Sequence, residues 1–265
     1  MEKSMQHCVI LLGLIIIGCL PILSVNAQEK AVQETVSVFE TKGQGIAPVT
    51  GKDDPNCGNG CLIAKKASFE GRTVQMAQSK TIGVLVLAHG MHTYEHGEHV
   101  SQAVPAWNAS VLEAVKPLKE KYPLEVAFGM ADPETIKEAV RKLEEKGVSD
   151  VIAVPLFISS HSPIIGNSCY ILGLQEKLPE TTSIKSLPRI KSKLKFYMTG
   201  AMDDSVLIAE ILMERAKEHS AEPFKETVII VGHGPNDEKE NRLWLDNMER
   251  LAQYVHEKGK FKEVK

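Results

Sequence analysis

The sequence predicts an α/β fold: a parallel sheet with helices on both faces, followed by the start of a second repeat of the same unit. From residue 81 onward, short runs rich in β-branched residues alternate with longer stretches whose apolar residues recur at helical spacing. This alternation is typical of parallel strands joined by crossover helices. Residues 84–90 are also echoed by residues 228–234, and both segments end in His-Gly. We therefore predict one α/β unit over residues 81–222 and a partial second unit over residues 223–265.

Short apolar runs bounded by glycine or polar residues mark the strands, and such runs are typical of strands buried on both faces. The third run contains Pro155, which lacks the N–H group that a central strand would donate. The predicted strands of the first unit are residues 82–88, 124–128, 151–158 and 194–198, and residues 227–231 begin the second unit.

Helices are predicted between these strands. The segment 105–122 carries an apolar face and should bend at Pro117, because proline cannot donate to the preceding turn. An aspartate N-cap and a proline at the first helical position, Asp132 and Pro133, open a helix that ends before Gly147. The remaining helices are predicted at residues 205–219 and, in the second unit, through Trp244 and Leu251.

The composition excludes one function class. The 265 residues are 43% hydrophobic and 25% charged, as in an ordinary globular chain with one large domain or two small ones. A net charge of -3 and an aromatic content of 5% provide no basic or base-stacking surface of the kind that nucleic-acid-binding proteins use. We therefore expect no nucleic-acid partner.

Residues 1–27 have the layout of a signal peptide. An apolar stretch at residues 8–23 is followed by Val25-Asn26-Ala27, which places small residues where a signal peptidase would cleave after Ala27. We therefore expect a periplasmic or secreted protein. Residues 16–19 also fit a lipoprotein signal with Cys19 as the lipidated residue, and only in that alternative would the mature chain be held at a membrane.

Residues 28–80 show no strong periodicity and are predicted to form an extended leader. The leader contains a loop rich in glycine and asparagine between Cys57 and Cys61. In an oxidising compartment this pair is interpreted as a small local disulfide, with half of a metal site as the alternative. Cys169 stands beside an apolar run and is predicted to be a buried small hydrophobic residue.

Two histidines follow predicted strands of the first unit. His89 directly follows the first strand, and His161 follows the third. In the common doubly wound order these strands are neighbours, so both imidazoles would face one crevice at the carboxyl edge of the sheet. Neutral imidazole is a metal ligand and a proton acceptor, so the pattern indicates a metal or proton-transfer site. The alternative is that each histidine is a polar residue satisfied at a strand end.

Four motifs together resemble the sirohydrochlorin cobaltochelatase family, the class II tetrapyrrole chelatases. The resemblance extends from residue 81 to the C-terminus, and the combination is more specific than any single motif. Many members have Gly-x-His after the third strand, where this chain has Ser159-Ser160-His161. The motifs are Leu87-Ala88-His89-Gly90, VPLFISSHS at residues 154–162, Met202-Asp203-Asp204, and VGHGPND at residues 231–237.

The resemblance implies a chelatase-like fold and a lyase-class enzyme that inserts Co2+ or Fe2+ into sirohydrochlorin or a related macrocycle. His89 and His161 match the family's two metal-handling histidines and would serve as metal ligands and proton acceptors. Independently of the resemblance, His233 is expected to be structural or supporting, because the second unit ends before the counterpart of His161. The divalent metal and the tetrapyrrole would be substrates, and no permanently bound cofactor is expected.

Two other functions use a histidine in this position. A non-catalytic periplasmic carrier of metal or tetrapyrrole, built on the same scaffold, would use the same histidines without turnover. A phosphoryl-transfer enzyme with a histidine after its first strand needs an arginine just before that histidine to hold phosphate. Ala88 and Gly232 occupy those positions, so this function ranks last.

A histidine-rich segment follows His89. His92, His96 and His99 continue from it at spacings of three, four and three, which would place the four histidines on one face of a helix. The chain between histidine and the next tryptophan is longer in the first repeat than in the second, and the extra residues coincide with this segment. We interpret it as an auxiliary metal-loading site assisted by Glu95 or Glu98, with a solvated polar loop as the alternative.

The second repeat stops early. Residues 261–265 resemble the start of its next strand, and the counterpart of His161 would fall beyond Lys265. We therefore expect a C-terminally shortened form of a two-unit chelatase, with the complete site in the first unit. One sheet edge of the second unit would then be uncovered, which makes a homo-oligomer a candidate state.

Deleting the segment that contains His92, His96 and His99 should weaken the apparent affinity for metal more than it slows turnover at saturating metal. The reason is that metal capture would suffer while the site of insertion stays the same. The measurement is the initial rate of insertion against metal concentration. An unchanged metal dependence would assign the segment to the solvated-loop alternative.

Overall fold

The computed structural model describes residues 9–13, 81–90, 93–95, 98–100 and 105–265. The chain divides into two compact units. The first unit is Ser24–Ala201, and the second contains Met202–Lys265 together with Met1–Leu23.

From residue 124 onward, strands and helices alternate along the described chain, as predicted. In chain order they are β1 (Val9–Gly13), β2 (Ile82–Ala88), β3 (Thr93–Glu95), β4 (Glu98–Val100), α1 (Pro105–Ala114), α2 (Lys116–Lys119), β5 (Leu124–Phe128), α3 (Pro133–Glu145), β6 (Asp150–Leu156), α4 (Pro163–Ile171), β7 (Lys195–Met198), α5 (Val206–Glu218), a 3-10 turn (Pro223–Lys225), β8 (Thr227–Val231), α6 (Glu238–Gly259) and β9 (Glu263–Val264).

The first unit is built on a parallel four-stranded sheet in the order β5-β2-β6-β7. The first and third predicted strands, β2 and β6, are therefore neighbours, as the doubly wound order requires. Their register runs from Ile82 opposite Asp150 to Ala88 opposite Leu156. The predicted α/β class with a parallel sheet is confirmed.

The two central strands are buried on both faces. Leu85 and Leu87 join an apolar cluster that includes Leu143 of α3. Val84 and Val86 alternate with them and therefore point to the opposite face, where both are completely buried. This two-sided burial explains why the strands read as continuous apolar runs in the sequence.

Pro155 lies inside β6 without breaking the sheet. The carbonyl of Ala153 accepts a hydrogen bond from the N–H of Thr199 at the end of β7 (3.0 Å). Residues two apart in a strand point their backbone groups to the same side, so the N–H that Pro155 lacks would face the side of β7. Pro155 cannot donate such a bond, and the pairing of β6 with β7 accordingly ends at Met198, opposite Ala153.

Helix α3 forms where the sequence predicts it. The carboxylate of Asp132 caps it by accepting hydrogen bonds from the N–H of Glu134 (2.9 Å) and of Thr135 (3.3 Å). Its buried face consists of Ile136, Ala139, Val140 and Leu143. Gly147 then takes a left-handed φ of 72°, which ends the helical segment.

Two helical segments differ from the prediction. The segment 105–122 forms two helices, α1 and α2, with Pro117 in the first turn of α2. Proline fits a first turn and not a helix interior, so the expected bend becomes a break.

The sequence does not predict helix α4, because the helix buries polar Asn167 and Ser168 beside Cys169 and so shows no apolar stripe. The third strand also ends at Leu156 and not at residue 158.

The second unit has its own parallel sheet, in the order β1-β8-β9. Leu212 of α5, Val228 of β8, and Leu251 and Val255 of α6 share one apolar cluster. Phe261 joins the same cluster just before β9, which forms within the predicted strand start at residues 261–265. The compact units thus divide after Ala201, about twenty residues before the predicted boundary, because α5 packs with β8 and α6.

β1 lies in the segment that the sequence predicts to be a signal peptide, and export stays a prediction. Within the described ranges, no helix is long and apolar enough to cross a membrane.

Glu226 is a buried carboxylate at the start of the second unit's sheet. It accepts hydrogen bonds from the hydroxyl of Ser220 and from the N–H groups of Ala221 and Glu222, both at 3.1 Å. The hydrogen bond from Ser220 has the largest effect, and together these bonds hold the pKa of Glu226 below its ordinary value of 4.5. The ionised carboxylate therefore ties the turn before β8 together.

Glu226→Gln should lower the free energy of unfolding of this unit by about 1–3 kcal/mol at neutral pH, because an amide nitrogen would replace one acceptor oxygen. A carboxyl group whose pKa is lowered in the folded state stabilises the fold at pH values above its ordinary pKa. This stabilisation is lost as the pH falls through the folded-state pKa. The difference between wild type and variant, measured by urea unfolding, should therefore shrink from pH 7 to pH 3. Glu222→Gln is the matched control, since this side chain is exposed and forms an ion pair with Lys225 on the surface. An equal effect of both substitutions would contradict the assignment.

Candidate functional site

The site lies at the carboxyl edge of the first unit's sheet. β2 and β6 end at the same level, since Ala88 pairs with Leu156. His89 follows β2 directly, and His161 lies in the connection from β6 to α4. Both side chains are half-buried. The structure thus places the two predicted histidines beyond the ends of adjacent parallel strands, where α/β sheets bind ligands.

The backbone of His89 is held on both sides. The carbonyl of Ala88 accepts a hydrogen bond from the N–H of Gly129 (2.9 Å). The carbonyl of His89 accepts one from the indole N–H of Trp107 on α1 (2.5 Å). The ring of Phe157, just past β6, lies 6.3 Å from the imidazole between centroids and is inclined to it by 58°. The sequence analysis did not identify Trp107 or Phe157 as part of the site.

A close backbone contact requires glycine at position 90. A Cβ atom at this position would lie 2.8 Å from the backbone nitrogen of Gly129 and 3.0 Å from the carbonyl carbon of Phe128. The chain after β2 therefore packs directly against the backbone after β5. The close approach explains the glycine of the His-Gly motif without any requirement for an unusual φ.

The loop after β5 carries unusual backbone angles. Gly129 has a φ of 141°, and Ala131, a buried residue, has a left-handed φ of 57°. Left-handed conformations are unfavourable for residues other than glycine and concentrate at functional sites. This loop supports the Gly90 segment, so part of the site's position depends on a strained turn.

A serine-rich turn holds His161. The hydroxyl of Ser159, which is buried, accepts a hydrogen bond from the N–H of His161 (3.1 Å). Ser160 accepts one from the N–H of Ala201 (2.8 Å), and Ser162 caps α4 by accepting from the N–H of Ile164 (3.3 Å). Ser159 occupies the position of the glycine in the Gly-x-His motif described above. Here its side chain fixes the backbone of His161.

The histidine-rich segment is not helical where it is described. β3 and β4 pair antiparallel, with Tyr94 opposite His99 and Glu95 opposite Glu98. The helical arrangement that would align the four histidines is therefore wrong. His92 and His96 lie outside the described residues. Among the residues that the structure describes, no group of three or more His, Cys, Asp or Glu side chains is placed to hold a metal ion.

His233 belongs to the second unit and has different surroundings. Its side chain is exposed, its Nδ1 lies 2.8 Å from the carbonyl oxygen of Gly234, and its ring lies 5.3 Å from that of Trp244. Gly234 has a left-handed φ of 60°. The repeated His-Gly sequence is thus used in two different local structures.

The predicted cysteine positions divide into two groups. Cys169 is completely buried, with its sulfur 3.5 Å from the sulfur of Met198, so its prediction as a buried small residue is confirmed. Cys57 and Cys61 lie outside the described residues.

The first unit thus has a parallel α/β sheet with a histidine beyond each of two adjacent central strands, at the edge where such sheets bind ligands. The CbiX family model matches residues 83–219, from β2 through α5. This match spans more than half of the chain, and the chain belongs to this family, the class II chelatases typified by sirohydrochlorin cobaltochelatase. The family indicates a tetrapyrrole metal chelatase. A comparison with individual curated proteins found no match.

Gly90→Ala should reduce metal insertion into a tetrapyrrole more than it reduces stability, because the new methyl group would push the residue after His89 away from the backbone of β5. We expect a loss of about 1–3 kcal/mol in the free energy of unfolding and a larger loss of activity. The control is Gly83→Ala near the start of β2, whose Cβ would meet the side chain of Val148 at 2.9 Å, at the opposite end of the sheet. Gly83→Ala should lower the melting temperature and keep kcat. Similar ratios of activity to stability in the two variants would contradict a specific role of Gly90.

Proposed function

We propose that this protein is an exported chelatase that inserts Co2+ or Fe2+ into sirohydrochlorin or a related macrocycle, with His89 and His161 as metal ligands and proton acceptors. The observation that carries the proposal is the in-register pairing of β2 with β6, which places both histidines at one edge of the sheet. Membership of the chelatase family supports the reaction class.

The reaction explains why imidazole is suitable. A divalent cation must lose water ligands before it enters the macrocycle, and two pyrrole nitrogens must lose their protons. A neutral imidazole nitrogen can ligate the cation or accept a proton, but one nitrogen cannot do both at once. Two histidines on one side of the macrocycle divide these tasks.

The donor set also explains how the metal can leave. Two imidazoles occupy only part of the coordination sphere of Co2+ or Fe2+, so the other positions are open to water and then to the pyrrole nitrogens. A closed cage of protein ligands would instead retain the metal. Imidazole suits Co2+, Fe2+, Ni2+ and Zn2+ alike, so metal choice is decided by competition assays and not by ligand type.

The location of the reaction rests on the N-terminal sequence. The apolar stretch at residues 8–23 and the cleavage pattern ending at Ala27 support export by a signal peptide. The lipoprotein alternative, through Cys19, would keep the same activity at a membrane surface. Mass spectrometry of the protein purified from its native compartment distinguishes cleavage after Ala27 from lipidation of Cys19.

The central experiment follows the absorbance change when purified protein is mixed with sirohydrochlorin and Co2+ or Fe2+ without oxygen, against a blank without protein. A chelatase produces many equivalents of metallated product per protein. A carrier binds one equivalent of metal or tetrapyrrole and leaves the blank rate unchanged, and this result would overturn the proposal.

His89→Ala and His161→Ala should each reduce the protein-dependent insertion rate by about a hundredfold or more, since each removes a ligand and proton acceptor. The melting temperature should change little, because both side chains lie beyond strand ends and outside the apolar cluster. His233→Ala is the matched control: it removes the repeated histidine in the second unit and should leave the rate within about twofold of wild type. A near-normal rate in either first-unit variant, or an equally severe loss in His233→Ala, would contradict the two-histidine assignment.

A further inference from the structure

We infer that Trp107 is a positioning residue for His89: its indole N–H fixes the peptide group that carries the histidine's carbonyl. The inference rests on the proposed function, in which His89 handles the metal or a proton. The observation is the hydrogen bond of 2.5 Å from Nε1 of Trp107 to the carbonyl oxygen of His89.

Two hydrogen bonds together define the backbone of His89. The peptide group before its Cα is held through the carbonyl of Ala88, which accepts from Gly129 (2.9 Å). The peptide group after its Cα is held through its own carbonyl, which accepts from Trp107. Each peptide group is planar, so fixing both planes fixes φ and ψ of the residue between them. The side-chain torsions of His89 then determine where its imidazole lies.

Neighbouring groups restrict the imidazole further. The ring of Phe157 lies 6.3 Å away between centroids, and it packs against the apolar cluster beneath the sheet edge. Trp107 itself is half-buried on α1, a helix whose Val111 and Ala114 are almost completely buried. The donor is therefore attached to a rigid element, as positioning requires.

The second unit supplies a contrast within the same chain. There Trp244 packs against the ring of His233 at 5.3 Å, and the imidazole is exposed. The first unit instead uses tryptophan as a hydrogen-bond donor to the backbone of its histidine. Because the chain contains two tryptophans, each can be replaced and observed separately.

The test replaces Trp107 by phenylalanine, which keeps an aromatic ring and removes the indole N–H. We expect kcat for metal insertion to fall roughly tenfold, with little change in melting temperature, since the loss of one hydrogen bond displaces His89 without opening the core. Trp244→Phe is the matched control and should keep kcat. A normal kcat in Trp107→Phe would overturn the inference.

A double-mutant cycle separates positioning from a general structural effect. In the His89→Ala background, Trp107→Phe should cause no further loss of rate, because the group that it positions is already gone. Independent losses that multiply would show that Trp107 acts elsewhere, and the inference would fail.

The hydrogen bond itself is tested without turnover. In protein labelled with 15N-tryptophan, the Trp244→Phe variant leaves one indole signal, that of Trp107. We expect this N–H to exchange with solvent much more slowly than a free indole. Fast exchange would overturn the inference even if the protein is an active chelatase. A protein that shows slow exchange and no insertion would refute the proposed function and leave the hydrogen bond established.

Discussion

The parallel, in-register pairing of β2 with β6 is the constraint on which the site depends. Both strands are buried on two faces, so a slip of one residue would exchange every side chain between the faces. The apolar cluster that contains Leu85 and Leu87 would lose its partners on α3. Packing therefore fixes the register, and the register fixes where His89 begins and where the turn toward His161 starts.

Much of this architecture could be predicted from the sequence, because runs of β-branched residues separated by helical patterns have few alternative arrangements. Helix α4 could not, since buried Asn167 and Ser168 interrupt the apolar stripe that marks a surface helix. A capping serine, Ser162, followed by proline was the available signal. The spacing of the histidines after His89 suggested a helix, yet short segments with such spacing also form hairpins, and β3 and β4 pair as one.

The site itself could be predicted only in part. The positions of His89 and His161 follow from the strands that they succeed. The groups that orient them do not, because they come from elements distant in sequence: Trp107 from α1, Phe157 from the end of β6, and Gly129 from the loop after β5. Hydroxyl contacts such as that of Ser159 depend on the conformation of a single turn, which residue types alone do not determine.

The bond from Trp107 to His89 also bears on how this chain could change in evolution. It joins residues 18 positions apart, so the two ends of the intervening segment are held together by this hydrogen bond. The entropy of closing such a loop grows only slowly with length, by about 0.6 kcal/mol for each doubling. Residues can therefore be inserted between His89 and Trp107 at little cost to stability, and His89 keeps its position. The segment between histidine and tryptophan is longer in the first repeat than in the second, which is consistent with such an insertion.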